Sequence, residues 1–367
     1  MRINARALRD FFTDPSRIVD ALIVFVPIAL VLALVRADST AIFITSALGI
    51  VPLAGILGEA TDALAHRAGA HIGALLNATF GNAAELIITI AAIRAGLLEV
   101  VKASITGSII GNILLVLGLS VFAGGLKHGF QRFGRRNASV SLTMMAIAVI
   151  GLAIPAIFAQ SIESRSNVGV EYLSIGVAIA LMLGYVLTLV FTFTQPPEKT
   201  HVAALEMPEP EHTGWSKTRA LAVLAVSVAF IAVLSELLVS TIEPVIRTYG
   251  LTELFVGVII VPIIGNAAEH FVAVEMSLKN KMDVALGIAL GSSMQIALFV
   301  APLLVFISLA AGHPLTLVFN SFEVAALAAS VIVAAAIALD GESNWLEGAQ
   351  LIIVYVILAL AFFYLPV

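Results

Sequence analysis

The chain has 367 residues and a formal net charge of -5; 60% of its residues are hydrophobic and 12% charged, and the mean hydropathy is +1.07. Soluble domains carry about twice that charged fraction, so the composition describes an integral membrane protein, and its mild acidity offers nothing to a nucleic-acid backbone. There are no cysteines, which excludes disulfides, thiolate metal sites and cysteine nucleophiles.

A membrane-crossing helix needs about 20 mostly apolar residues. That rule predicts eleven helices, over 18–36, 39–60, 70–94, 102–124, 138–160, 170–194, 219–242, 251–278, 282–309, 315–339 and 346–366. The first apolar run, Ile18 to Val35, follows Arg2, Arg6, Arg9 and Arg17 like a signal peptide. It is longer than a usual signal core and lacks a small-x-small cleavage site before Arg36, so it is expected to be retained. With the N-terminus inside, 14 of the 19 Lys and Arg residues fall on inner segments. Basic residues concentrate in cytoplasmic loops, so the expected orientation is N-terminus cytoplasmic and C-terminus outside.

The long hydrophilic segment, 195–218, carries Glu198, Glu206, Glu209, Glu211, His201 and His212. It is read as a solvated cytoplasmic linker, with a cation-attracting or regulatory role as the sharper alternative. It divides the chain into a basic tail and first helix (1–37), a five-helix unit (38–194) and a second five-helix unit (219–367). Five is odd, so equivalent helices of the two units run in opposite directions. The expected fold is therefore an all-α membrane protein of about eleven helices, one extra helix plus two inverted five-helix repeats. That architecture is associated with secondary transporters.

The repeat is visible in the letters. Gly81-Asn82-Ala83-Ala84-Glu85 in the third helix returns as Gly265-Asn266-Ala267-Ala268-Glu269 in the eighth. Each copy sits in a long apolar run, where a carboxylate is expensive and marks function by default. Gly-Asn interrupts both runs, and Pro262 precedes the second copy. Asn82 and Glu85, like Asn266 and Glu269, stand three apart and share a helix face. Polar residues recur every four positions in the helix after each copy: Ser104, Ser108 and Asn112 in the fourth, and Asp283 and Gln295 flanking Gly287 and Gly291 in the ninth, with Ser292 and Ser293 beside them. The spacings Gly107-x3-Gly111 and Gly287-x3-Gly291 also read as close helix-packing motifs.

Converging these four helices surrounds two carboxylates with amide and hydroxyl oxygens. All-oxygen ligation suits a hard cation, calcium above all. Protons and the cation then compete for Glu85 and Glu269, which is a mechanism for antiport. His270 is read as a hydrogen-bond partner or proton relay, imidazole being too soft for calcium. Glu59 and Glu236 mirror each other in the second and seventh helices, and are read as gate or proton-path residues against the alternative of interfacial ion pairs. Glu323 in the tenth helix has no evident counterpart, and its role is open. A serine hydrolase using Ser292 or Ser293 with His270 lacks a Gly-x-Ser-Gly pattern and gives no reason for two glutamates; a passive channel needs no broken, inverted helices.

These blocks resemble the calcium/proton exchangers of the cation/calcium antiporter superfamily. The resemblance rests on Gly81 to Glu85 with Ser104 to Gly118, on Gly265 to His270 with Leu286 to Phe299, and on Asp340 to Gly348 before the last helix. It implies calcium export in exchange for protons across the cell membrane, with Glu85 and Glu269 as the shared site, aided by Asn82, Asn266, Ser108, Asn112, Ser292 and Gln295. Gly111 stands where many members have Ser. Sodium/calcium relatives place Pro before the repeat glutamate; Ala84 and Ala268 occupy that position here, which favours protons, with a sodium/calcium or monovalent cation/proton exchanger as the alternative. No cofactor is implied and no bond chemistry. The partners are calcium, protons and the lipid bilayer, with assembly into a homo-oligomer left open.

Overall fold

The computed structural model describes residues 19–162, 167–194 and 215–365. The basic tail and most of the acidic linker, with His201 and His212, lie outside the described residues. The described chain is almost wholly helical: α1 Val19–Leu34, α2 Ser39–Ala68, α3 Ala70–Phe80, α4 Ala83–Arg94, α5 Leu98–His128, α6 Arg135–Ile162, α7 Asn167–Thr194, α8 Lys217–Ser240, α9 Ile242–Tyr249, α10 Glu253–Gly265, α11 Ala267–Leu278, α12 Met282–Ala310, α13 Ser321–Ile337 and α14 Trp345–Tyr364. Seven spans are long and apolar enough to cross a membrane, and eight if α10 and α11, bent by 61° at their joint, count as one.

Four expected elements differ in detail, the eighth being α10 and α11, parted at Asn266. The third is not one helix but α3 and α4, parted at Gly81-Asn82, where Asn82 leaves the helical region with φ -98° and ψ 23°. The first and tenth are shorter than expected, at Val19–Leu34 and Ser321–Ile337. For the tenth the reason is local. Residues 313–320 are extended, because Ser308 Oγ accepts from Leu315 N–H at 2.8 Å and Ser174 Oγ accepts from Leu317 N–H at 3.0 Å. Asn320 then caps α13.

Other boundaries also follow from named groups. Asp38 caps α2 by accepting from Thr40 N–H at 2.9 Å. Gly69, at φ +83°, turns the chain sharply from α2 into α3, a conformation only glycine adopts without strain. The two units interlock through α5 and α10. A methyl on Gly107 would stand 2.1 Å from the Val258 carbonyl oxygen, and one on Gly257 would stand 2.4 Å from Ala103 Cβ. Gly111, by contrast, has nothing within 4 Å of where its Cβ would be, so of the Gly107-x3-Gly111 motif only Gly107 makes the close approach.

Three loops meet at one end of the bundle. Gln131–Arg132 (β1) pairs antiparallel with Glu342–Ser343 (β2). The buried Gln131 side chain donates to Ser277 O and to Asn280 Oδ1. Lys127 donates to the Leu278 carbonyl, where the α11 C-terminus leaves acceptors unpaired.

Candidate functional site

Both copies of the repeated word lie at helix breaks, and the breaks face each other. Glu85 is 4% exposed and lies in the first turn of α4, directly after the break. Its side chain rests on the second copy: a methyl on Gly265 would stand 2.8 Å from Glu85 Cγ and 3.5 Å from Oε1. Glu269 occupies the equivalent first turn of α11 and is half-buried. The two carboxylates are close enough for their charges to act on each other.

The amides and hydroxyls cross-brace these breaks. Asn82 Nδ2 donates to Gln295 Oε1 at 2.7 Å, and Asn82 Oδ1 accepts from Ser292 Oγ at 3.1 Å. Ser292 Oγ in turn accepts from Asn112 Nδ2 at 3.0 Å and lies in hydrogen-bonding reach of Glu269. Its single proton therefore serves either Asn82 or Glu269. From the other copy, Asn266 Nδ2 donates to Ser108 Oγ at 3.3 Å and to the Pro262 carbonyl at 3.1 Å. Each copy's asparagine thus bonds the polar helix that follows the other copy. The contacts bring together all eight of the ligand residues expected from the sequence.

Among the described residues, three buried oxygens in this cluster have no hydrogen-bond partner: Glu85 Oε1, Asn266 Oδ1 and Glu269 Oε2. Buried acceptors without donors are costly, and they are the groups that a cation or a proton would satisfy. The three are two carboxylate oxygens and one amide oxygen; among the described residues no group of three or more His, Cys, Asp or Glu side chains gathers to hold a metal. Helix irregularities adjoin the cluster. π-helical turns run over Gly111–Val116, which contains Asn112, and over Ile296–Val300, directly after Gln295. Such turns recur at functional sites because they shift side chains and carbonyls out of the α-helical register.

The remaining candidates are placed apart. His270 is half-buried beside Glu269. Glu59 is exposed. Glu236 forms an ion pair with Arg94 at 2.9 Å between two exposed side chains, the geometry of its alternative reading. Asp283 leaves the expected polar stripe: it is exposed, and its Oδ1 accepts from Gly134 N–H at 2.6 Å. Ser293 Oγ turns to backbone carbonyls, to Ala289 O of its own helix at 2.9 Å and, at 3.5 Å, to Ile109 O of α5. One buried carboxylate acquires an unforeseen partner: Glu323 Oε1 accepts from Thr106 Oγ1 at 3.0 Å.

The model of the sodium/calcium exchanger protein family matches residues 38–194 and 219–364. The chain belongs to this family. Its similarities to individual members run nearly end to end. It is 43% identical over 363 residues to the Ca(2+)/H(+) antiporter of Aphanothece halophytica, covering 94% of this chain and 96% of that one. To the Ca(2+)/H(+) antiporter ChaA of Bacillus subtilis it is 43% identical over 347 residues, covering 93% and 97%. The solved structure of native YfkE superposes with a TM-score of 0.82 at 40% identity, covering 95% of this chain and all of that one. The two segments matched by the sodium/calcium exchanger family each contain one copy of Gly-Asn-Ala-Ala-Glu.

Proposed function

We propose that this member of the sodium/calcium exchanger family is a Ca2+/H+ antiporter of the cell membrane that exports cytosolic calcium by alternating access. The observation that carries the reading is the meeting of the two breaks, with Glu85 lying on Gly265 and three buried oxygens unpartnered between the copies. Its relatives of 43% identity are named as Ca(2+)/H(+) antiporters.

Calcium and protons are alternative occupants of one site. Either neutralises Glu85 and Glu269, and a loaded carrier crosses between its two faces without bare charge in the membrane. The empty, ionised carrier faces the full cost of two unshielded carboxylates in a low-dielectric interior, and so is held at the face where it unloaded. Coupling follows from that restriction. Asn82, Asn266, Ser108, Asn112, Ser292 and Gln295 orient the carboxylates and offer further neutral oxygens, the ligand type calcium prefers. His270 is the relay for the proton leaving Glu269. No covalent bond is made or broken.

The proposal includes eleven crossings in two inverted five-helix repeats around that site, with the N-terminus cytoplasmic and the C-terminus outside. It also assigns protons rather than sodium as counter-ion, because Ala84 and Ala268 stand directly before the two glutamates. Calcium uptake into proteoliposomes under an imposed pH gradient tests the reading. Uptake is expected to follow the gradient and to fall to background in Glu85→Gln and in Glu269→Gln. Uptake driven by sodium and indifferent to pH would sink the proton assignment; full activity of either variant would sink the site.

A further inference from the structure

Glu323 is 2% exposed and lies in an apolar helix, yet the exchange mechanism does not use it. One of its oxygens caps the helix: Oε2 accepts from Asn320 N–H at 3.0 Å, while Asn320 Oδ1 accepts from Glu323 N–H at 2.8 Å. This is a reciprocal cap of α13, and glutamine serves such a cap as well as glutamate. The cap therefore does not explain why a carboxyl group is kept in a buried position. Glu347 makes the same cap at the start of α14, but it is half-buried at the bundle end, where charge is inexpensive.

The second oxygen of Glu323 points elsewhere. Oε1 accepts from Thr106 Oγ1 at 3.0 Å, and Thr106 is wholly buried. Thr106 lies on α5, two residues before Ser108, so the two side chains point about 200° apart around the helix. One face of α5 holds Ser108 against Asn266 and Asn112 against Ser292; the opposite face is held by Glu323. Lys102, one turn before Thr106, donates to the Val318 carbonyl at 3.2 Å, and its charge reaches Glu323. The segment 318–323 therefore grips α5 at two points one turn apart, and that segment is itself pinned through Leu315 and Leu317.

We infer that the Thr106–Glu323 hydrogen bond sets the rotation and depth of α5, so that Glu323 is a positioning residue for the cation site on the far face of that helix. The inference rests on the cation-exchange reading. A helix gripped at Lys102 and Thr106 has no freedom to turn, and a turn of even part of a residue would draw Ser108 and Asn112 from their partners. Carboxylate is the suitable group, since a hydrogen bond from a hydroxyl to a charged acceptor is stronger than one to a neutral amide.

Thr106→Val tests this, because valine keeps the shape of threonine and removes only the hydroxyl; Thr106→Ser keeps the hydroxyl and loses the methyl. The half-saturating calcium concentration for pH-driven uptake is expected to rise about tenfold in Thr106→Val, the range for outer-shell supports of metal ligands, with the maximal rate within twofold of the parent. Thr106→Ser and Glu347→Gln are expected to stay within twofold on both measures. A packing role for residue 106 demands the reverse order, valine tolerated and serine impaired. Glu323→Ala combined with Thr106→Val is expected to bind no more weakly than Glu323→Ala alone; where Glu323→Ala fails to fold, the valine–serine comparison decides. Unchanged half-saturation in Thr106→Val overturns the inference, as does an equal rise in Thr106→Ser. Equilibrium binding of radiolabelled calcium to the purified variants separates this from the function itself. A parent that binds calcium but shows no pH-driven uptake overturns the antiport reading alone, while a parent that binds none overturns both.

Discussion

Ser292 and Ser293 are neighbours in the sequence and both buried, but the helix sends them to different work. Ser292 Oγ links Asn82 to Asn112 and stands beside Glu269, so it ties a ligand of the first copy to the carboxylate of the second. Ser293 Oγ donates to the Ala289 carbonyl of its own helix at 2.9 Å, with only a long contact of 3.5 Å to the Ile109 backbone carbonyl of α5, so it bonds no side chain of the cluster. Ser292→Ala is accordingly expected to raise the half-saturating calcium concentration about tenfold or more; Ser293→Ala is expected to remain within twofold of the parent. A calcium titration of transport in the two variants checks this, and equal effects would remove Ser292 from the site. Both serines stand beside the polar stripe in the sequence, because helical spacing resolves faces only to within a residue or so. What separates them is the side chains that Ser292 meets on other helices, and no local pattern carries that information.

At the scale of elements, the glycines of the fourth helix are a case where spacing alone named a motif and packing divides it. Gly107 faces backbone: the Val258 carbonyl lies where its Cβ would go, 2.1 Å away. Pro262, four residues on, has no N–H for that carbonyl, so the oxygen is turned toward α5. Backbone cannot be moved by a rotamer change, and Gly107→Ala is expected to destabilise the protein by about 1–3 kcal/mol, the usual cost of overpacking. Gly111 meets open space; there alanine gains the helix propensity glycine lacks, up to about 1 kcal/mol. The melting temperatures of the two variants in detergent are expected to move in opposite directions from the parent. Identical shifts would show that the pair acts as one motif after all. The breaks within the repeated words were legible, because Gly-Asn inside an apolar run disfavours an unbroken helix. The two glutamates stood out as well, because a carboxylate in such a run is read as functional by default; that they lie at facing breaks is what the structure adds. The Thr106–Glu323 bond was less so: Asn320-x-x-Glu323 is a readable capping signal, but its second partner lies 217 positions away. The late start of the tenth helix was hidden for the same reason, since Ser174 pins the segment ahead of it from a different helix.

At the scale of the whole molecule, contacts between helix ends bear on the number of crossings. If each expected helix crosses once, loops after even-numbered helices lie on one side and loops after odd-numbered helices on the other. The loops after the fourth, eighth and tenth helices touch through β1–β2 and through Gln131 with Ser277 and Asn280. Arg67, ending the second helix, donates to the Trp215 carbonyl ahead of the seventh. All of these are even-numbered. On the other side, Arg94 at the end of the third helix pairs with Glu236 near the end of the seventh, and Lys102 at the start of the fourth bonds Val318 between the ninth and tenth. A miscounted crossing anywhere between the paired loops would put their contacts on opposite faces of the membrane, which is impossible for hydrogen-bonded groups. The even side also holds most of the basic residues, which is why it is the side expected to be cytoplasmic. The absence of cysteines gives a clean test. Arg136→Cys and Tyr249→Cys each introduce a single thiol at an exposed position, one on either expected side. In intact cells a membrane-impermeant maleimide is expected to label Tyr249→Cys and to reach Arg136→Cys only after permeabilisation. Labelling of both in intact cells would break the parity on which the eleven crossings rest, and the reverse pattern would keep the parity while turning the protein over in the membrane.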